Sequence, residues 1–203
     1  MAATAMALRA AVERVSVSAY EIPTDEPESD GTLEWDSTTL VLVEVAGGGE
    51  TGLGFTYSDA SAARLIEGKL ADVVSGCDVM SPQAAWSAMQ SAVRNLGQQA
   101  LSAMAISAVD VALWDLKARL LGVALADLLG RFHERARVYG SGGFTSYSDE
   151  RLAEQLAGWA AEGIPRVKMK VGRDPDRDLE RVRVARSAIG PNVELMVDAN
   201  GAW

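Results

Sequence analysis

The chain has 203 residues, 48% of them hydrophobic and 23% charged, with a formal net charge of −9. That length supports one or two domains with a full core, and no apolar run approaches the ~20 residues of a membrane span, so no membrane partner is expected. Residues 1–136 carry 9 basic and 18 acidic side chains and residues 137–203 carry 10 of each; no basic stripe is present, so nucleic acid is not an expected partner.

The N-terminal stretch MAATAMALRAAVERV has no basic start and no leucine-rich centre, and is not read as a secretory signal. The lone Cys77 cannot form an internal disulfide, which fits a reducing, cytoplasmic location; with no cationic neighbour in sequence it reads as inert. VERVSVSAYEI alternates Val15, Val17 and Ala19 with polar residues, a strand pattern. TTLVLVEVAGGGETGLGFTY reads as a hairpin turning at Gly47-Gly48-Gly49. Between them, Pro23 to Asp36 carries two prolines and six acids and no basic residue, and reads as a long loop.

Three helices follow. The first is capped at Ser58/Asp59 and stops at Gly76; the second has Ser81 as N-cap, Pro82 at its first position and Gly97 beyond its end. The longest, LSAMAISAVDVALWDLKARLLG, aligns Ile106, Val109, Leu113, Leu116 and Leu120 on one face, with Asp115 and Arg119 spaced to pair outside and Gly122 ending it. Trp86, Trp114 and Trp159 read as core or domain-interface packing, and His133 as a surface residue of the linker.

From residue 137 the pattern becomes strand (RVYGSGGF), helix, strand (RVKMKVG), helix, strand (VELMVDANG). At ~25–30 residues per unit this implies parallel strands with right-handed crossovers. The expected organisation is therefore an α+β domain over 1–136, followed over 137–203 by the opening of an α/β barrel or open α/β sheet. Gly140, Gly142 and Gly143 lack a phosphate-loop pattern and read as small residues that keep the mouth of the sheet open. Phe144, Thr145, Ser146 and Tyr147 follow at that rim, where Thr145 and Tyr147 are candidate substrate contacts.

Side chains alternate across a strand. In RVKMKVG, Val167, Met169 and Val171 suit helix packing, while Lys168 and Lys170 share the other face. Two adjacent like charges are costly to desolvate, so the pair reads either as chemistry or as two side chains snorkelling from a strand mouth. In the last strand Asp198 and Asn200 share a face at the C-terminal end, where active sites collect in parallel α/β folds; Asp198 reads as a site acid or as a helix cap. An acid and an amide offer hard oxygen ligands or substrate hydrogen bonds, and two ammoniums offer a base and an electrostatic clamp.

VKMKVG, followed 28 residues after Lys170 by VDANGAW, resembles the enolase superfamily, in its mandelate racemase and muconate lactonizing enzyme branch. SAVDVALWDLKARLLGVALADLLG is similar to that family's cap-domain helix and its exit. The resemblance implies a capping domain over 1–136 that governs substrate specificity and the first three strands of a (β/α) barrel over 137–203. It implies Mg2+-dependent removal of the proton alpha to a carboxylate, giving an enediolate, as in racemases, epimerases, cycloisomerases and acid-sugar dehydratases. Lys170 would be the base, Lys168 would hold the carboxylate and lower its neighbour's pKa, Asp198 would be the first of three Mg2+ ligands, and Asn200 would position substrate. The acidic stretch from Pro23 matches the family's mobile cap loop.

The resemblance also implies two further acidic ligands and, in many members, a second base on later strands. By that reading the 203 residues look C-terminally truncated, with poor Mg2+ binding and little catalysis alone, and homo-oligomerisation belongs to the longer protein. Two other functions compete: a barrel enzyme whose lysine forms a Schiff base with a carbonyl substrate, and a non-catalytic truncated product whose cap survives as an interaction module.

Overall fold

The structure, a computed structural model, describes residues 9–202; the first eight residues of the N-terminal stretch discussed above, and Trp203, lie outside them. Two compact units emerge: one takes the chain up to Ile22 and Thr38–Phe132, the other Pro23–Ser37 and the chain from His133 onward. Segment 23–37 belongs with the second unit, and the chain returns to that unit at His133.

Strands β1 (Arg14–Ser29), β2 (Glu34–Gly47) and β3 (Glu50–Tyr57) form a sheet in that order; the first unit takes β1 up to Ile22, β2 from Thr38, and β3. β2 and β3 pair antiparallel, from Leu40 opposite Tyr57 to Gly47 opposite Glu50. Val41, Val43 and Val45 turn inward and are fully buried, as the two-residue period requires. Opposite them, Gly52 and Gly54 sit directly on the backbone of α4 (Leu101–Leu121), with no room for a Cβ beside Ala112 and Ala108. Ile106, Val109, Leu113 and Leu116 of α4 are buried and Leu120 partly so, the expected apolar face. Asp115 pairs with Arg119 at 2.7 Å and its Oδ2 also accepts the Leu53 N–H at 2.8 Å.

The helix expected over 58–76 comprises α1 (Ser61–Leu65), a π-helical turn (Ile66–Leu70) and α2 (Ala71–Val74). Asp59, rather than Ser58, accepts the Ser61 N–H at 2.8 Å at its start. α3 (Pro82–Ala92) opens on Pro82 without a side-chain bond from Ser81. Its buried stripe is Pro82, Ala85 and Met89, so Trp86, one position off that stripe, is 46% exposed rather than core. Trp114 is half-buried with the Lys117 ammonium 5.1 Å above its ring. Cys77 is half-buried, its thiol donating to the Val73 carbonyl at 3.5 Å. Among the described residues no helix is long and apolar enough to cross a membrane.

In the second unit, α5 (Leu125–Leu129) having closed the first, strands β4 (Gly140–Ser141), β5 (Arg166–Lys170) and β6 (Glu194–Asp198) form a parallel sheet in chain order. β5 and β6 are in register from Arg166 opposite Glu194 to Lys170 opposite Asp198. α6 (Asp149–Ala161) and α7 (Pro175–Ile189) are the crossovers. Ser148 caps α6 by accepting the Arg151 N–H at 3.2 Å. Val167 and Met169 join Leu152, Leu156, Ala185 and Ile189 in the core. A cap with antiparallel strands followed by three parallel strands is the architecture the sequence implied.

Two local expectations change. A Cβ on Gly140 or Gly142 would collide with the Trp159 ring, and one on Gly142 also with Gln155. These glycines make room for α6 to close on β4; they do not hold the mouth open. The segment 23–36 is not a long loop: β1 continues to Ser29 and β2 starts at Glu34, leaving a tight turn at Asp30-Gly31-Thr32-Leu33. Pro23 and Pro27 are tolerated because β1 is the edge strand of its sheet.

Candidate active site

β5 and β6 end side by side, and their alternation delivers four polar side chains to one place. Lys168 Nζ and Lys170 Nζ both donate to the same carboxylate oxygen, Asp198 Oδ2, at 2.9 and 2.8 Å. Lys170 Nζ also donates to Asn200 Oδ1 at 2.7 Å. Asn200 reaches back because its backbone is left-handed, φ 50°, a conformation asparagine accepts more readily than most residues; its N–H donates to Asp198 Oδ1 at 3.0 Å. Asp198 is thus bound through both oxygens by site groups.

Lys170 is 8% exposed, buried for a lysine. Like-charge repulsion between the two lysines is answered by the acid between them. The hydrogen bonds from Lys170, then Lys168, hold the Asp198 carboxyl far below the usual carboxylate range. The bond to Asp198 holds Lys168 above the ordinary lysine value against the opposing effect of burial. The Tyr139 ring, 5.7 Å from Lys168 Nζ, adds a cation–π contact.

The turn between β1 and β2 belongs to the same unit and meets this site. Gly31 sits against the Val171 and Ala199 carbonyls and the Ala202 methyl, with no space for a side chain. Asp30 is 6% exposed; its Oδ1 accepts the Thr32 and Leu33 N–H groups at 2.7 and 2.8 Å and the Thr32 hydroxyl at 3.1 Å. Burial pushes the Asp30 carboxyl up, but those bonds and the charge of Lys170 outweigh it and hold it below the ordinary value. Neither Asp30 nor Gly31 was singled out in the sequence, although Asp-Gly between two strand patterns is a strong hairpin signal.

Thr145 and Tyr147 are engaged by groups other than the lysine–aspartate cluster. Thr145 Oγ1 is 2.6 Å from Ser29 Oγ and donates to the Asp30 carbonyl at 2.9 Å, so it grips the hairpin turn. Tyr147 is 6% exposed, its ring edge-on to Phe144 at 5.4 Å and under the Arg151 guanidinium. Packing thus takes up the Tyr147 ring, and the hairpin occupies the Thr145 hydroxyl. His133 is exposed.

Asp198 offers the hard oxygens a Mg2+ ion prefers, but among the described residues no group of three or more His, Cys, Asp or Glu side chains is arranged to hold a metal. These residues therefore fit one ligand of such a site and not a whole one.

Residues 16–130 match the model of the mandelate racemase / muconate lactonizing enzyme N-terminal domain, and residues 151–203 that of the enolase C-terminal domain-like family. A solved mandelate racemase/muconate lactonizing enzyme-like protein from Rubrobacter xylanophilus is 67% identical, with a TM-score of 0.94 over 95% of this chain and 54% of that one. A racemase from Streptomyces coelicolor, solved with bound magnesium, is 33% identical with a TM-score of 0.89, covering 95% of this chain and 56% of that one. D-galactarolactone cycloisomerase of Agrobacterium fabrum is 33% identical over 88% of this chain and 49% of its own length. L-talarate/galactarate dehydratase of Salmonella typhimurium is 29% identical over 95% and 51%. The chain spans about half the length of the curated relatives it matches. It belongs to the mandelate racemase/muconate lactonizing enzyme family of the enolase superfamily.

Proposed function

We propose that this chain carries the cap and the first catalytic strands of a Mg2+-dependent enzyme that removes the proton alpha to a carboxylate. The observation that supports this most is the convergence of Lys168, Lys170 and Asp198 at the C-terminal ends of two adjacent parallel strands. Lys170 is the base: it is buried and its Nζ is held by Asp198 and Asn200, groups that orient the amine toward one side of the site. Lys168, held protonated by Asp198, neutralises the substrate carboxylate and favours loss of the adjacent proton. Asn200 fixes Lys170 and offers its amide to substrate. Asp198 is one of the metal ligands; the ion, when bound, supplies positive charge to the substrate carboxylate as negative charge builds there.

The relatives include cycloisomerases, dehydratases and racemases, and all three chemistries can begin with this proton transfer. The substrate is a small carboxylate. A homo-oligomeric, cytoplasmic protein fits the family resemblance and the lone cysteine.

The test is alpha-proton exchange by the whole protein in D2O, followed by NMR over a panel of hydroxy and sugar acids. Exchange that needs Mg2+ and stops with EDTA supports the reading. Exchange indifferent to EDTA, or none across the panel with metal present, contradicts it.

A further inference from the structure

Arg181, on α7, is 5% exposed, and no strong ion pair explains its burial: Asp149 Oδ1 is 3.9 Å from its Nη1. Its guanidinium instead faces the backbone of the segment that follows β4. Nη1 donates to the Tyr147 carbonyl at 2.9 Å, and Nη2 to the Phe144 carbonyl at 2.9 Å and, more weakly, the Gly143 carbonyl at 3.5 Å. Its Nε is buried without a partner. Burying a cation this way is expensive, and core packing alone would be served better by leucine or methionine. A planar fork of donors is what three carbonyls of one turn need.

That turn carries Thr145 between the clamped carbonyls. The Thr145 N–H donates to the Ser29 carbonyl at 2.8 Å, and its hydroxyl bonds the Ser29 hydroxyl and the Asp30 carbonyl. Ser146 adds a bond to the Pro27 carbonyl at 2.7 Å. Asp30 and Gly31, held by these contacts, lie on the ends of β5 and β6, with Gly31 against Val171 and Ala199. On the inner side of the turn, the Gly143 carbonyl accepts the Lys170 N–H at 3.0 Å. The five-residue turn 143–147 therefore touches the base-bearing strand on one side and the hairpin tip on the other, and Arg181 is what it is built on.

We propose that Arg181 is a positioning residue for the active site: from α7 it fixes the 143–147 turn, and through Thr145 that turn sets the Asp30–Gly31 tip over the ends of β5 and β6. The tip and the base-bearing strand lie in the same unit, so the register of the hairpin tip against the base is set by a residue outside the lysine–aspartate cluster. Its catalytic meaning rests on the function proposed above; the mechanical claim does not, and the test reads it without substrate.

The test is residue-resolved amide hydrogen exchange on the 203-residue chain and on the whole protein. In Arg181→Met, exchange at the Thr145 and Leu33 amides is expected to rise at least tenfold, while Val171, bonded to the Asp198 carbonyl, stays within twofold. Arg181→Lys should give an intermediate rate, since an ammonium restores part of the donor set. Thr145→Val should speed Asp30, Thr32 and Leu33 alike, leaving α7 protected, and Thr145→Ser should restore them. Should Arg181→Met unfold the unit, the lysine variant and the Thr145 pair carry the test. Unchanged Thr145 and Leu33 amides, or a uniform acceleration that includes Val171, would overturn the proposal: Arg181 would then be a packing residue only.

Discussion

Strand β2 of the cap and strand β5 of the barrel unit follow the same rule with different outcomes. In β2, Val41, Val43 and Val45 fill the core, and Leu40, Leu42 and Glu44 turn the other way. In β5, Val167 and Met169 fill the core, and the alternate positions are Lys168 and Lys170. One face of each strand builds the fold by burying apolar surface. The second face is free to vary, and only in β5 does it gather charges that a neighbouring strand answers with a single carboxylate. The chemistry proposed for this chain therefore sits on the face of β5 that the apolar core does not use.

That contrast can be broken from the core side first. Leu116→Ala, in the fully buried seam of α4, should cost about 2–5 kcal/mol, read as a lower urea midpoint for the cap transition; a cost near zero would mean that the seam is not packed as described. Asp198→Ala leaves two poorly exposed ammoniums facing each other and should cost about 1–3 kcal/mol. A loss equal to that of Leu116→Ala would make the charged face structural after all.

Smaller effects sharpen the comparison. Asp110 on α4 has its pKa raised by burial, so its charged form is penalised in the folded state. The penalty is absent below the unfolded carboxylate pKa and complete above the raised folded value. Asp110→Asn should therefore raise the melting temperature at pH 7, with the gain vanishing as pH falls below the ordinary carboxylate range; a pH-independent gain would point to packing instead. Arg119→Ala removes one partner of an exposed pair on α4 and should leave the urea midpoint almost unmoved.

Much of this was legible before the fold. The parallel strands, the long α4 face and the shared side of Lys168, Lys170, Asp198 and Asn200 follow from periods of two and 3.6. What was hidden depends on contacts remote in sequence. Thr145 grips Ser29, 116 residues away, and no local pattern marks that. Gly140 and Gly142 look like an open mouth until Trp159 is placed against them. Trp86, read as core or domain-interface packing, sits one position off the buried stripe of α3. Prolines and acids made 23–36 look like a loop, while the Asp-Gly turn and an edge position allow it to be a hairpin. Arg181 lies in a run of arginines on α7 and is distinguished from Arg177 and Arg183 only by its burial.

If the second face of β5 is catalytic, Lys170 is its base and Lys168 its clamp. The most direct measurement is alpha-proton exchange with solvent deuterium by the whole protein carrying Lys170→Ala, beside Lys168→Ala, with each enantiomer of an active substrate. Loss of exchange from at least one enantiomer in Lys170→Ala, by about 10²–10⁴-fold as expected for a general base, is the predicted result. Normal exchange from both enantiomers in that variant would contradict the account.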